Sequence, residues 1–239
     1  MSFNFSLYFI QEELRQMSRY LDVVVASLET NFKRVDSAYE EAMKEEVPNS
    51  EFSDDYVEWM LGKHEGELIE AGQDFPQLLL VSFVILWYSF VEQKLLDFCD
   101  ELGLTISITP KSNKNFHKGI RRAYKFLSQA RDYKIHQNHW QELLSISRLR
   151  NLLVHEGKQL KLSFIKPDGQ SVIYKRENES DIYLPIDDDL YKYLCKHNLF
   201  EISGVFMNIV PSIEYCKELV KLGNEIFIKL YADLKSTKN

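Results

Sequence analysis

From Phe75 to Val91 the chain carries no charged side chain, and LLLVSFVILWYSFV within that run is almost wholly apolar. Such a segment has two fates: burial on every side in a helical core, or a bilayer span, which needs about 20 predominantly apolar residues. The run also holds Pro76, Gln77, Ser82, Tyr88 and Ser89, and continues without a break into EQKLLDFCDEL, where charge returns. The reading is a core helix from Phe75 to about Leu102 and no membrane span. Asp74 is its expected cap, Pro76 sits in the first turn where a missing donor costs least, and Gly103 ends it. The rest of the fold must cover this helix.

The covering elements are also read as helices. Gly and Pro are scarce, 9 and 6 in 239 residues, which disfavours disorder and a strand-and-turn architecture. Residues 5–46 return apolar side chains at three and four (Leu7, Ile10, Leu14, Met17, Leu21, Leu28), giving one long helix or two stacked ones. VPNSEFSDD breaks this pattern, and Asp54 or Asp55 caps a second helix through Trp59 and Leu61. Thr109-Pro110 opens a segment through Ile120, Tyr124 and Leu127, and Gln137 to about Glu156 forms the next, with Gly157 as its stop.

The period then changes. LKLSFI, KPDGQ and SVIYK alternate about a Pro-Asp-Gly turn, which predicts a β-hairpin at about 160–176, and DIYLPI is a further short strand. Asp187 to Asp189 cap a short helix, and a last helix runs from about Pro211 to Leu234. The fold class is mainly α. Residues 1–70 are an N-terminal helical extension, and 71–239 are a helical domain interrupted by the hairpin.

Cys99, Cys195 and Cys216 form no close pair, so neither a disulfide framework nor a thiolate metal site is indicated, and a reducing compartment fits. The amino terminus lacks a basic stretch and a small-residue cleavage site. The expected location is cytoplasmic. No Gly-rich phosphate loop is present, which removes P-loop and Rossmann nucleotide folds.

Charge is distributed unevenly. Between Lys111 and Lys166 there are 13 Lys and Arg against three acids (Asp132, Glu142, Glu156), a local balance of +10; the remaining 16 bases and 33 acids give −17. This indicates either a basic working surface on an acidic body or solvated helices docked on acidic neighbours.

Inside the basic segment stands SRLRNLLVHEGKQL, in which Arg150-Asn151 is followed after three apolar residues by His155. Arg131-Asp132 to His136 has the same spacing and Arg148 to His155 a longer one, but only the Arg150 match lies on a helix with an apolar stripe back to Trp140. At about 100° per residue, His155 falls within about 40° of Asn151 and about 20° of Arg148, while Arg150 is turned away by about 140°. Arg150 reaches that polar face only by its long stem, by distortion at the helix end, or across a dimer.

With the apolar helix FVILWYSFVEQKLLDF before it, this motif resembles the HEPN domains, and the likeness covers roughly residues 75–160. The resemblance implies a bundle of about four helices and a homodimer that sets two motif helices side by side and builds one site from both copies. It further implies metal-independent endoribonuclease activity on RNA, as a toxin or phage-defence effector restrained by an antitoxin or another regulatory protein. Gly157 stands where one toxin subgroup has tyrosine, so the partner of that subgroup is not implied.

These residue types suit that chemistry. Imidazole titrates near neutrality, so His155 suits movement of the 2′-hydroxyl or leaving-group proton. A guanidinium stays charged and binds phosphate through two donors, so Arg150, with Arg148, suits the charge on the phosphorane. Asn151 orients the histidine or a phosphate oxygen, and Glu92 orients Arg150 or His155. Arg121, Arg122 and Lys158 are candidate RNA contacts, as are Tyr124, Tyr133 and Trp140 by stacking. No cofactor or metal is expected, since His136 and His139 lack a third ligand. The alternative is a non-catalytic HEPN-like module binding a nucleotide, RNA or protein. A histidine in a last helical turn is also favoured by the helix dipole alone.

Overall fold

The computed structural model describes residues 3–46, 54–102, 119–131, 135–163, 172–174 and 182–236. The chain is mainly helical. Helix α1 spans Phe3–Glu46 as one element, and α2 spans Asp54–Ile69. A π-helical turn, Glu70–Asp74, joins α2 directly to α3, Phe75–Glu101. Then come α4 (Ile120–Arg131), α5 (Gln137–His155), β1 (Gln159–Lys161), β2 (Val172–Tyr174), β3 (Ile182–Leu184), α6 (Asp188–Lys196), β4 (Phe200–Ser203), β5 (Phe206–Ile209) and α7 (Ile213–Ser236).

The join between α2 and α3 corrects the reading of Asp74 as a cap. Asp74 lies inside the π turn, and the Phe75 N–H donates to the Glu70 carbonyl, five residues back. The physical reason is Pro76. It offers no N–H and its ring crowds the preceding turn, so a helix that continues through it must loosen its register there.

The chain forms two compact units, one of Met1–Arg15 with Val81–Asn239 and one of Gln16–Leu80. In the larger unit the apolar run does what its composition requires: Val84, Trp87, Val91 and Leu95 of α3 are fully buried. Leu127 of α4, Leu143, Ile146 and Leu149 of α5 and Phe227 of α7 are buried with them. Each such side chain contributes about 1.5–3 kcal/mol by leaving water. Phe98 and Tyr231 meet edge to face at 4.7 Å. Gly223 of α7 lets the backbone approach closely, since a Cβ there would stand 3.3 Å from Trp87 Nε1 and 3.2 Å from Leu14 Cδ2. The helix Asp55–Glu101 is long and apolar enough to cross a membrane by length and composition. Within the chain its apolar surface is not all used, for Leu86 is 52% exposed.

The strands pair differently from the expected hairpin at 160–176. Leu160 of β1 faces Met207 of β5, and β5 pairs with β4 through the two-residue turn Gly204-Val205. Val172 of β2 faces Leu184 of β3. Ser163 bridges to Tyr183, whose other neighbour is Ile173, so β3 stands between the two arms that were expected to pair. Burial is the reason: Leu160, Met207, Val172, Ile182 and Leu184 all find apolar cover in this arrangement. The KPDGQ turn lies outside the described residues, as do the opening of the Thr109-Pro110 segment, Gly103 and Tyr133.

Candidate functional site

The site is built on α5, whose buried stripe is Leu143, Ile146, Leu149 and Leu153. That stripe fixes the helix's rotation and so decides where each polar residue points. Past His155 the helix is stopped by Gly157, whose φ of +82° is a left-handed conformation that side chains rarely adopt. His155 is therefore held on the last turn, and it is exposed.

One flank of α5 opens onto a groove of about 550 Å³. Arg148, Asn151 and His155 line it from α5; Pro185, Ile186 and Asp187, leading from β3 into α6, form the facing wall. Helix α6 is fixed to α5 near both of its ends. Arg148 Nη1 donates to Asp187 Oδ1 at 3.3 Å and to Asp189 Oδ2 at 3.0 Å, and Lys196 pairs with Glu142. Asp187 also caps α6, accepting the Leu190 N–H at 2.9 Å. The guanidinium of Arg148 is thus committed to the wall of the groove as well as lining it.

Arg150 leaves α5 toward α3. Its Cζ lies 5.9 Å from the centre of the Tyr88 ring, and its Nη1 donates to Asn151 Oδ1 at 3.0 Å. Its Nε is buried without a hydrogen-bond partner among the described residues. Tyr88 in turn donates to Ser147 Oγ at 3.0 Å, tying α3 to α5. Glu92, one turn further along α3, feels Arg150 electrostatically: burial raises its carboxyl above the usual range, and the guanidinium partly offsets that. Burial likewise raises the Tyr88 hydroxyl, against the hydrogen bond to Ser147.

The predicted residues therefore separate into two groups. Arg148, Asn151 and His155 share the groove; Arg150 and Glu92 share the α3 flank, with Asn151 as the link between them. The long stem of Arg150 does not carry it into the groove within one chain. Arg121 is exposed on α4 and Arg122 half-buried beside it. Lys158 follows the stop of α5, where its carbonyl accepts the Ile209 N–H at 2.7 Å. Tyr124 and Trp140 stack on each other at 4.2 Å, each covering one face of the other. His136 and His139 stand 5.7 Å apart, and His139 faces Glu225 at 3.8 Å, its imidazole pushed down by burial. Among the described residues no group of three or more His, Cys, Asp or Glu side chains is placed to hold a metal ion.

No family model, curated protein or solved structure matches the chain. The site is defined by its own geometry.

Sequence reasoning missed the facing wall. Asp187 and Asp189 were legible as a helix cap, but nothing in their spacing marked them as partners of Arg148, 39 and 41 residues away. Tyr88 was read as one polar interruption of an apolar run, and its hydroxyl is what positions α3 against the motif helix. Chemically, the assembled flank offers an exposed imidazole, a carboxamide one turn before it, and a cleft open to solvent.

Proposed function

We propose that the protein is a metal-independent endoribonuclease of the HEPN kind, acting as a homodimer in which two copies of α5 build the site. The observation that carries this reading is the placement of His155: an exposed imidazole on the rim of an open groove, beside Asn151 and Arg148. In the proposed reaction His155 moves the proton of the 2′-hydroxyl or of the departing 5′-oxygen. A guanidinium neutralises the charge that gathers on the phosphorane. Within one chain Arg148 is spent on Asp187 and Asp189, which leaves Arg150, whose guanidinium lies against Tyr88, as the cation to be supplied across the dimer. The exposed apolar side chains Val154 of α5 and Leu86 of α3 supply contact surface for a second copy.

The same Arg148 pairing favours a second reading, a HEPN-like module that binds RNA, a nucleotide or a protein without cutting, because the carboxylates lower the positive charge of the groove. One assay separates the two. Structured RNA is incubated with the protein in EDTA, and the product ends are analysed. The nuclease reading expects 2′,3′-cyclic phosphate and 5′-hydroxyl ends, with a loss of at least about 100-fold in His155→Ala at an unchanged melting temperature. Cleavage that survives in His155→Ala removes this histidine from the mechanism, and RNA left intact by both proteins leaves binding alone.

A further inference from the structure

Arg148 belongs to two grooves at once. On one side it lines the groove of about 550 Å³ with Asn151, His155 and Asp187; on the other it lines a smaller one, of about 290 Å³, with Ser145, Asp189 and Lys192. Its ion pairs form the partition between them, and the two carboxylates are held unequally. Asp187 is 32% exposed, and its Oδ1 also accepts the Leu190 N–H, so it is built into the start of α6. Asp189 is 70% exposed. Among the described residues Arg148 is the one Lys or Arg in the groove beside His155, against Asp187 and Glu156, so the attraction of an RNA strand there depends on how much of this guanidinium the carboxylates leave.

The geometry is that of a weak clamp. Both bonds leave from Nη1, at 3.3 Å to Asp187 and 3.0 Å to Asp189, so each carboxylate is met through a single nitrogen. A guanidinium binds most strongly when two of its nitrogens meet two oxygens of one anion. Exposed pairs of the present kind are further weakened by water and salt. A phosphodiester presents two charged oxygens on one phosphorus, which suits the fork that the carboxylates do not fill. The Asp189 side chain also has a second place to go. Lys192 is exposed, lines the same small groove and stands three residues further along α6, a spacing that makes the two neighbours on one helix face.

We infer that the pairing of Arg148 with Asp189 is an autoinhibitory contact, in which a carboxylate of the chain holds the guanidinium that an RNA phosphodiester takes when a strand enters the α5 groove. Asp189 then turns to Lys192, while Asp187 stays with the first turn of α6. The inference rests on the reading that this groove receives RNA, and it holds equally for cutting and for binding alone. It assigns Arg148 to grip the strand and leaves Arg150 for the charge at the reacting phosphorus. The consequence is a groove that binds RNA less tightly than its residues allow, with Asp189 setting the threshold.

The test uses the full chain and a labelled single-stranded oligoribonucleotide with 2′-O-methyl sugars, which has no 2′-hydroxyl to attack and so is not consumed. Fluorescence anisotropy compares the parent with Asp189→Asn and with a matched control, Asp188→Asn. Asp188 carries the same charge in the same turn of α6, is exposed, and lines neither groove. Asp189→Asn is expected to bind about fivefold more tightly than the parent, and Asp188→Asn to stay within about twofold of it. The logarithm of affinity is expected to fall more steeply with the logarithm of salt concentration in Asp189→Asn, by about 0.7, the slope of one added phosphate contact on a single strand. In an Arg148→Ala background the advantage of Asp189→Asn is expected to shrink to that of the control. Equal binding by the parent and Asp189→Asn overturns the inference, including the case in which neither binds. So does an equal gain in Asp188→Asn, or a gain that survives in Arg148→Ala. The nuclease reading is judged separately, from the product ends of unmodified RNA with His155→Ala.

Discussion

At the scale of single residues, the decisive fact is that neighbours in sequence are not neighbours in role. Arg148 and Arg150 stand two apart on α5 and point to different flanks, one to the Asp187 and Asp189 carboxylates and the other to Tyr88. Because the Arg148 pairs are partly exposed, each is worth about 1 kcal/mol or less. Asp187 does more than Asp189, since it also caps α6. Asp187→Ala is therefore expected to lower stability by about 1–2 kcal/mol and Asp189→Ala by about half a kcal/mol or less, measured by urea denaturation. Glu92 yields a pH test. Its folded carboxyl titrates above the ordinary value, so the protonated form is preferred on folding, and its contribution is fully present below the unfolded value and lost as pH rises through the folded one. Glu92→Gln should accordingly match the parent at low pH and exceed it in melting temperature at neutral pH. A variant that is less stable at neutral pH would show that the Arg150 attraction outweighs the burial cost.

At the scale of elements, periodicity was enough wherever one face of a helix is buried. The stripe of α5, the cap at Asp187, the stop at Gly157 and the burial of α3 all follow from spacing and residue type. Two features did not. The π turn at Glu70–Asp74 depends on α2 continuing through Pro76, which local propensity disfavours. The strand partners depend on which apolar surfaces meet far along the chain, and FEISGVFMNI carries the two-residue turn that pairs β4 with β5 without advertising β1 as the third strand. The candidate site divides in the same way. His155 and Asn151 were visible from their place on α5, while the wall opposite them came from residues 185–187, beyond the reach of helical periodicity. The close approach at Gly223 gives a packing test. Gly223→Leu must displace Trp87 or Leu14, both buried, and is expected to cost about 1–3 kcal/mol or more by overpacking, seen as a lower denaturation midpoint.

At the scale of the whole molecule, among the described residues the groove beside His155 holds Arg148 already paired with Asp187 and Asp189, while Arg150 lies on the neighbouring flank against Tyr88. In the homodimer proposed above, two-fold symmetry would bring Arg150 of each copy to the groove of the other. By sequence, residues 16–80 are acidic and residues 111–166 basic, and Arg148 of the basic stretch is docked on the carboxylates of Asp187 and Asp189. The most direct test of the shared site is a mixing experiment between Arg150→Ala and His155→Ala, each expected to be inactive alone. After subunit exchange at equal ratio, half of the dimers are mixed and one of their two sites is intact, so RNA cleavage in EDTA should return to about one quarter of the parent level. A mixture that stays as inactive as its components would contradict a site assembled from two copies.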